Sequence, residues 1–185
     1  MSIVHVMPSQ FLVETLNRLK SGFQDAASIE SLLLEEWAGY ESMPFLLLLS
    51  NLSASGLTTE QREVALYVDI CQAHVSPGET IYIKPHIGTS GEFIAQLISK
   101  LELYRVVVFP VEIQQLPIEF FSDLLARSHI LSVSSSSALI AQLFGYNVAH
   151  ALDEERIRQF IKPDCQSEMI KANSAIIRKI NKSAV

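Results

Sequence analysis

Four short apolar runs, each closed by turn-forming residues, constrain this chain more than any other feature. They are Phe45–Leu49, Ile81–Lys84, Arg105–Phe109 and Ile130–Val133, and a last, shorter run spans Asn147–Ala151. Near-continuous apolar runs of this length, without a polar face, are expected of strands covered on both sides. Helical segments fall between them. Thr58 or Thr59 can cap a helix reaching about Ala73, with Glu60 and Glu63 in its first turns. A second helix is expected from Glu92 to about Leu101. After the loop Pro110–Leu116, Pro117 can take the first position of a short helix, Ile118–Ala126. Ala138–Phe144 reads as a helix closed by Gly145, and residues 153–182 read as helical with an interruption at Pro163. Strands alternating with helices imply an α/β fold, a Rossmann-like and mostly parallel sheet with helices on both faces.

The segment 1–43 is less regular. Phe11, Leu12, Leu16 and Leu19 recur at helical spacing after a capping Ser9, Ser28 starts a second short helix, and Gly39 and Pro44 break the pattern. The expected organisation is therefore a helical N-terminal segment, 1–43, followed by a Rossmann-like domain with C-terminal helices, 44–185. With 49% hydrophobic residues among 185, the chain can bury a full core in one domain. The uncharged stretch Ser128–Leu152 raises the question of a membrane span. Its serine run, two histidines, Gly145 and Asn147 argue for strand, loop and helix instead.

Composition excludes some partners. With 14 basic and 20 acidic residues the formal net charge is -6, so no nucleic-acid partner is expected. A local basic excess, Lys171, Arg178, Lys179 and Lys182, reads as a solvated helix face, with peripheral membrane contact as the minority reading. Cys71 and Cys165 fit no metal spacing, and a reducing, cytoplasmic setting is the simplest assumption. No signal peptide is evident at the N-terminus. His5, His74, His129 and His150 show no ligand spacing, so no metal and no cofactor are expected.

Three places can carry chemistry. Pro85 cannot donate to a strand ladder, so it ends the strand and projects His86 beyond the sheet edge, before Gly88, Thr89, Ser90 and Gly91. An imidazolium there can hydrogen-bond a phosphate and assist its departure. The run Ser134–Ser137 lies between an apolar strand and an apolar helix. Its hydroxyls and N–H groups would meet a helix N-terminus, which favours anions. Glu119 falls in the first turn of a short helix. It is either a dipole-stabilised surface carboxylate or an acceptor for ribose hydroxyls, with Glu112 a weaker candidate for the latter role. The loop after the first strand, with Asn51 and Ser53, would line the same cleft. GxxxxGK[ST], GxGxxG and GxSxG patterns are all absent.

Taken in order, Ile81–His86, Leu116-Pro117-Ile118-Glu119 and Ser136-Ser137-Ala138-Leu139 resemble motifs of the bacterial sialyltransferases of glycosyltransferase family 52 and the related capsular polysialyltransferases. Phe45–Ser53 resembles the first strand and loop of their nucleotide-binding half. The resemblance runs from about Pro44 to Leu152. It implies the C-terminal, donor-binding half of a GT-B fold and CMP-sialic acid as donor, without a metal. By resemblance, His86 is catalytic and contacts the phosphate, Ser135, Ser136 and Ser137 bind phosphate, and Glu119 binds the ribose. The implied partners are a glycan acceptor, in lipooligosaccharide or capsular polysaccharide synthesis, and a missing N-terminal GT-B domain or a second copy of the chain. The implied placement is cytoplasmic, peripheral to the inner membrane.

Two departures stand out. Ile87 occupies the position where these families have a proline after the histidine, and the Asp-x-Gly motif that carries their catalytic base in the N-terminal domain does not occur. Transfer to a hydroxyl needs such a base. The competing expectations are a catalytically incomplete α/β module with an assembly or regulatory role, and a GT-B donor domain for another nucleotide sugar.

Overall fold

The computed structural model describes residues 24–39, 42–133, 138, 141, 142 and 145–183. Its centre is a five-stranded sheet built from β1 (Phe45–Leu48), β2 (Thr80–Lys84), β3 (Arg105–Val108), β4 (His129–Ser132) and β5 (Val148–His150). The spatial order is β3-β2-β1-β4-β5, and all four pairings are parallel. The α/β, Rossmann-like architecture expected from the alternation of runs is the one observed.

Side-chain alternation along the strands divides the core in two. Leu47, Ile81, Ile83 and Leu131 face one side, where α2 (Glu60–His74), α3 (Gly91–Lys100) and α6 (Glu154–Phe160) cover them with Tyr67, Ile70, Leu97 and Ile157. Leu46, Leu48, Tyr82 and Ile130 face the other side. There α1 (Gln24–Trp37) contributes Leu33 and Trp37, and α5 (Ser122–Ala126) contributes Leu124 and Leu125. The Trp37 ring lies 5.0 Å from that of Tyr82. This two-sided cover explains why the strands carry no polar face.

Helix boundaries follow from their caps. Thr59 caps α2 by accepting a hydrogen bond from the Arg62 N–H, while the buried Thr58 hydroxyl donates to the Phe160 carbonyl. Ser90 caps α3 through the Phe93 N–H at 3.0 Å. Asp153 caps α6, and Pro163 opens α7 (Pro163–Ser183). Gly145, at φ 81°, donates to the Gln142 carbonyl and closes the turn expected of it.

Three expectations change. Residues 110–116 include a short helix, α4 (Val111–Gln114), rather than loop alone. The helix expected over Ile118–Ala126 is split into a 3-10 turn, Ile118–Phe120, and α5. Pro117, at ψ 131°, stands outside the turn, and Phe121, at ψ 57°, interrupts it. Ser28 lies inside α1, which is already helical from Gln24, so it starts no helix. The pattern around Ser9–Leu19 lies outside the described residues.

Candidate functional site

The chain runs from β1 outward to β2 and β3, then crosses back to lay β4 against the other side of β1. The strand order therefore reverses between β1 and β4. In open parallel sheets the loops leaving the strands on either side of such a reversal diverge and leave a crevice at the carboxyl edge. Leu48 pairs in register with Lys84 on one side and Ser132 on the other, so the loops after β1, β2 and β4 begin side by side. The serine run follows directly on β4. Ser134, Ser135, Ser136 and Ser137 lie outside the described residues.

The loop after β1 is held from below. The Ser50 N–H donates to the Tyr67 hydroxyl at 2.5 Å, and that hydroxyl donates back to the Ser50 carbonyl at 3.1 Å. Burial pushes the Tyr67 hydroxyl far above its ordinary pKa, so it stays protonated for this role. The buried Glu63 carboxylate accepts the Leu52 N–H at 3.0 Å and the Ser53 N–H at 2.8 Å. Each such N–H left without an acceptor would cost about 1–3 kcal/mol, so Glu63 fixes the loop's shape.

Asn51 joins this loop to the one after β2. Its amide donates to the Ile87 carbonyl at 3.0 Å and accepts from the Thr89 hydroxyl at 3.1 Å. Gly88 sits at φ 87°, a left-handed conformation that favours glycine, beneath the Asn51 amide. Asn51 and Ser53 border a cleft of about 400 Å³ that also takes in Thr59, Glu60, Thr89 and Ser90.

His86 stands where Pro85 ends β2. Its ring Nδ1 lies 2.7 Å from the Ile87 carbonyl. A carbonyl only accepts, so Nδ1 carries the proton and Nε2 is left to meet a ligand. His86 is exposed, as is Ile87.

A second cleft, of about 180 Å³, opens on the other side of the strand ends. Leu48, Lys84, His86, Gln115, Leu116 and Pro117 are among the residues that line it. Lys84 is its buried charged residue: its ammonium donates to the Gln114 carbonyl at 2.9 Å and, at 3.5 Å, to the Pro85 carbonyl. Burial lowers the Lys84 pKa, and the negative charge of Glu119 opposes that shift. Glu119 is half-buried in the 3-10 turn, within electrostatic reach of Lys84.

The structure thus brings His86 to one cleft with the residues just before Glu119, while Asn51 and Ser53 border the other cleft rather than, as expected, the same one. The Glu112 side chain lies outside the described residues. The sequence marks Lys84 only as part of the Lys84-Pro85-His86 strand end and Glu63 only as a first-turn carboxylate, and assigns neither a role at the site. A lysine ending an otherwise apolar strand, directly before proline, was the available signal for the first; for the second there was none, because its partners are defined by a loop. Among the described residues, no group of three or more His, Cys, Asp or Glu side chains is arranged to hold a metal, and no helix is long and apolar enough to cross a membrane. Comparison of the chain with protein-family models, curated proteins and solved structures gives no match.

Proposed function

We propose that this chain is the donor-binding half of a sialyltransferase-like glycosyltransferase, and that it binds CMP-sialic acid at the carboxyl edge of its sheet. The observation that carries the reading is the place of His86 beside the reversal between β1 and β4, on a loop that Asn51 holds through the Ile87 carbonyl and in a cleft shared with Leu116, Pro117 and Ile118 just before Glu119. His86 is the catalytic residue in this reading. Its Nε2, protonated, donates to the donor phosphate as the bond from sugar to phosphate breaks and CMP leaves. Ser135, Ser136 and Ser137 hold the same phosphate, Glu119 accepts hydrogen bonds from the ribose, and Asn51 and Ser53 border the neighbouring cleft. A base from a facing domain takes the proton of the acceptor hydroxyl. A glycan acceptor would enter between that domain and this one.

Calorimetric titration with CMP, UMP, GDP and ADP tests the reading. Binding of CMP alone, weakened by His86→Ala, is the expected result. Glu119→Ala should reduce discrimination between CMP and its 2′-deoxy analogue. Equal affinity of the parent protein for both sugars would remove the ribose role of Glu119. Failure to bind any of the four nucleotides would remove the donor site and favour an assembly module.

A further inference from the structure

We propose that Lys84 is an anion ligand of this protein: its ammonium, with the His86 imidazole, holds a phosphate or carboxylate group in the cleft of about 180 Å³ that both side chains line. The argument begins with the alternation of β2. Tyr82 and Lys84 face the α1 side of the sheet, where Leu46, Leu48, Phe109 and Ile118 are buried apolar neighbours. An ammonium at the last inward position, with only 8% of its surface exposed, carries a large desolvation cost unless its charge is answered. The answer found among the described residues is incomplete. Among the described residues no carboxylate forms an ion pair with Lys84. Glu119 acts on it only through its field. Of the three N–H donors of an ammonium, one has a good acceptor in the Gln114 carbonyl and one a long contact with Pro85. The third has no partner among the described residues, and Lys84 is one of the residues that line the cleft.

Pinning the 110–117 segment would need only a neutral donor to the Gln114 carbonyl. The charge is surplus to that task and suits an anion. His86 brings a second donor from the next turn of chain, so the two groups can bracket one anionic group. The identity of that group rests on the donor-site reading above, which offers two sources of the same chemistry: the nucleotide phosphate and the sugar carboxylate.

Lysine acetylation of the parent protein, read by peptide mass mapping, tests the assignment without a variant that must fold. Inorganic phosphate, N-acetylneuraminate and CMP are the probes, and exposed Lys100 is the internal control. The expected result is saturable slowing at Lys84 by a factor of 1 + [L]/Kd, about tenfold when the anion is at about nine times its Kd, with Lys100 unchanged. Protection by phosphate and CMP but not by N-acetylneuraminate supports the phosphate source, and the reverse supports the carboxylate. Protection by inorganic phosphate with no calorimetric binding of CMP keeps Lys84 as an anion ligand and removes the donor reading. CMP binding that leaves Lys84 unprotected, with no protection by either simple anion, overturns the proposal and leaves the donor reading standing. Lys84→Arg should keep the anion affinity that Lys84→Met loses; equal affinity in both variants would make Lys84 a structural pin only.

Discussion

At the carboxyl edge β4 and β5 end on Ser132 and His150, which are register neighbours. His150 is half-buried, and its Nε2 donates to the side-chain oxygen of Gln142, which is helical. That bond fixes the proton on Nε2, so acid must protonate Nδ1 in a poorly hydrated place. Burial accordingly lowers the His150 pKa below its ordinary value near 6.5. The sign is definite: the unfolded chain takes up this proton before the folded one, so stability is full above about pH 6.5 and falls as pH drops through that value. Urea midpoints measured between pH 7.5 and 5.5 should decline in the parent, by no more than about 1.4 kcal/mol per pH unit for one proton. The decline should be smaller in His150→Asn, and identical slopes would reject the assignment. At this scale the sequence was legible where a residue acts alone. Pro85 ends a strand through its own ring, and His86 follows. It was illegible where the role depends on a distant partner, as with Lys84 and Gln114, or Tyr67 and Ser50.

The same rule governs the elements. The existence and type of β1 to β4, α2 and α3 could be read from apolar runs and caps, because both are local. The split of residues 118–126 could not. Phe121, in the N-cap position of α5, offers no side-chain cap. Glu30 from α1 supplies one instead, its carboxylate accepting the Asp123 N–H at 2.9 Å and the Leu124 N–H at 3.3 Å. A buried acceptor delivered across 93 residues of chain lets the helix restart at Ser122. The contact also ties α1 to the segment between the Glu119 turn and β4, so α1 supports the site without touching it. Glu30→Ala should cost about 2–3 kcal/mol, since two backbone donors lose a charged acceptor. Glu30→Gln, which keeps one carbonyl oxygen, should cost less. Urea denaturation measures both, and a loss below about 0.5 kcal/mol, the level of an ordinary surface change, would contradict the capping role.

For the whole molecule, strand–helix alternation fixed the class but not the strand order. Every parallel connection is a crossover of the same local kind, and nothing inside a run states on which side of β1 the next strand lands. That choice is made by burial. Leu46 and Leu47 of β1, Ile81 to Ile83 of β2 and Ile130 and Leu131 of β4 are almost wholly buried, and these three strands take the centre. The strands that end at the rim, Arg105–Val108 and Val148–His150, have no wholly buried residue. Rim strands pair on one side only, so their amides can open while the centre stays intact. Native-state hydrogen exchange should therefore find two tiers. Amides of Leu46–Leu48 and Ile81–Ile83 should exchange only through global unfolding, with free energies that track the denaturant slope of the whole protein. Amides of Val106–Val108 and Val148–His150 should exchange earlier and with a weaker dependence on denaturant. A ligand bound at the carboxyl edge touches loops of the central strands, so it must raise the upper tier by RT ln(1 + [L]/Kd), about 2.7 kcal/mol at a hundredfold excess over Kd. Uniform protection across all five strands would mean that the rim and centre unfold as one unit, and would remove the burial argument for their order.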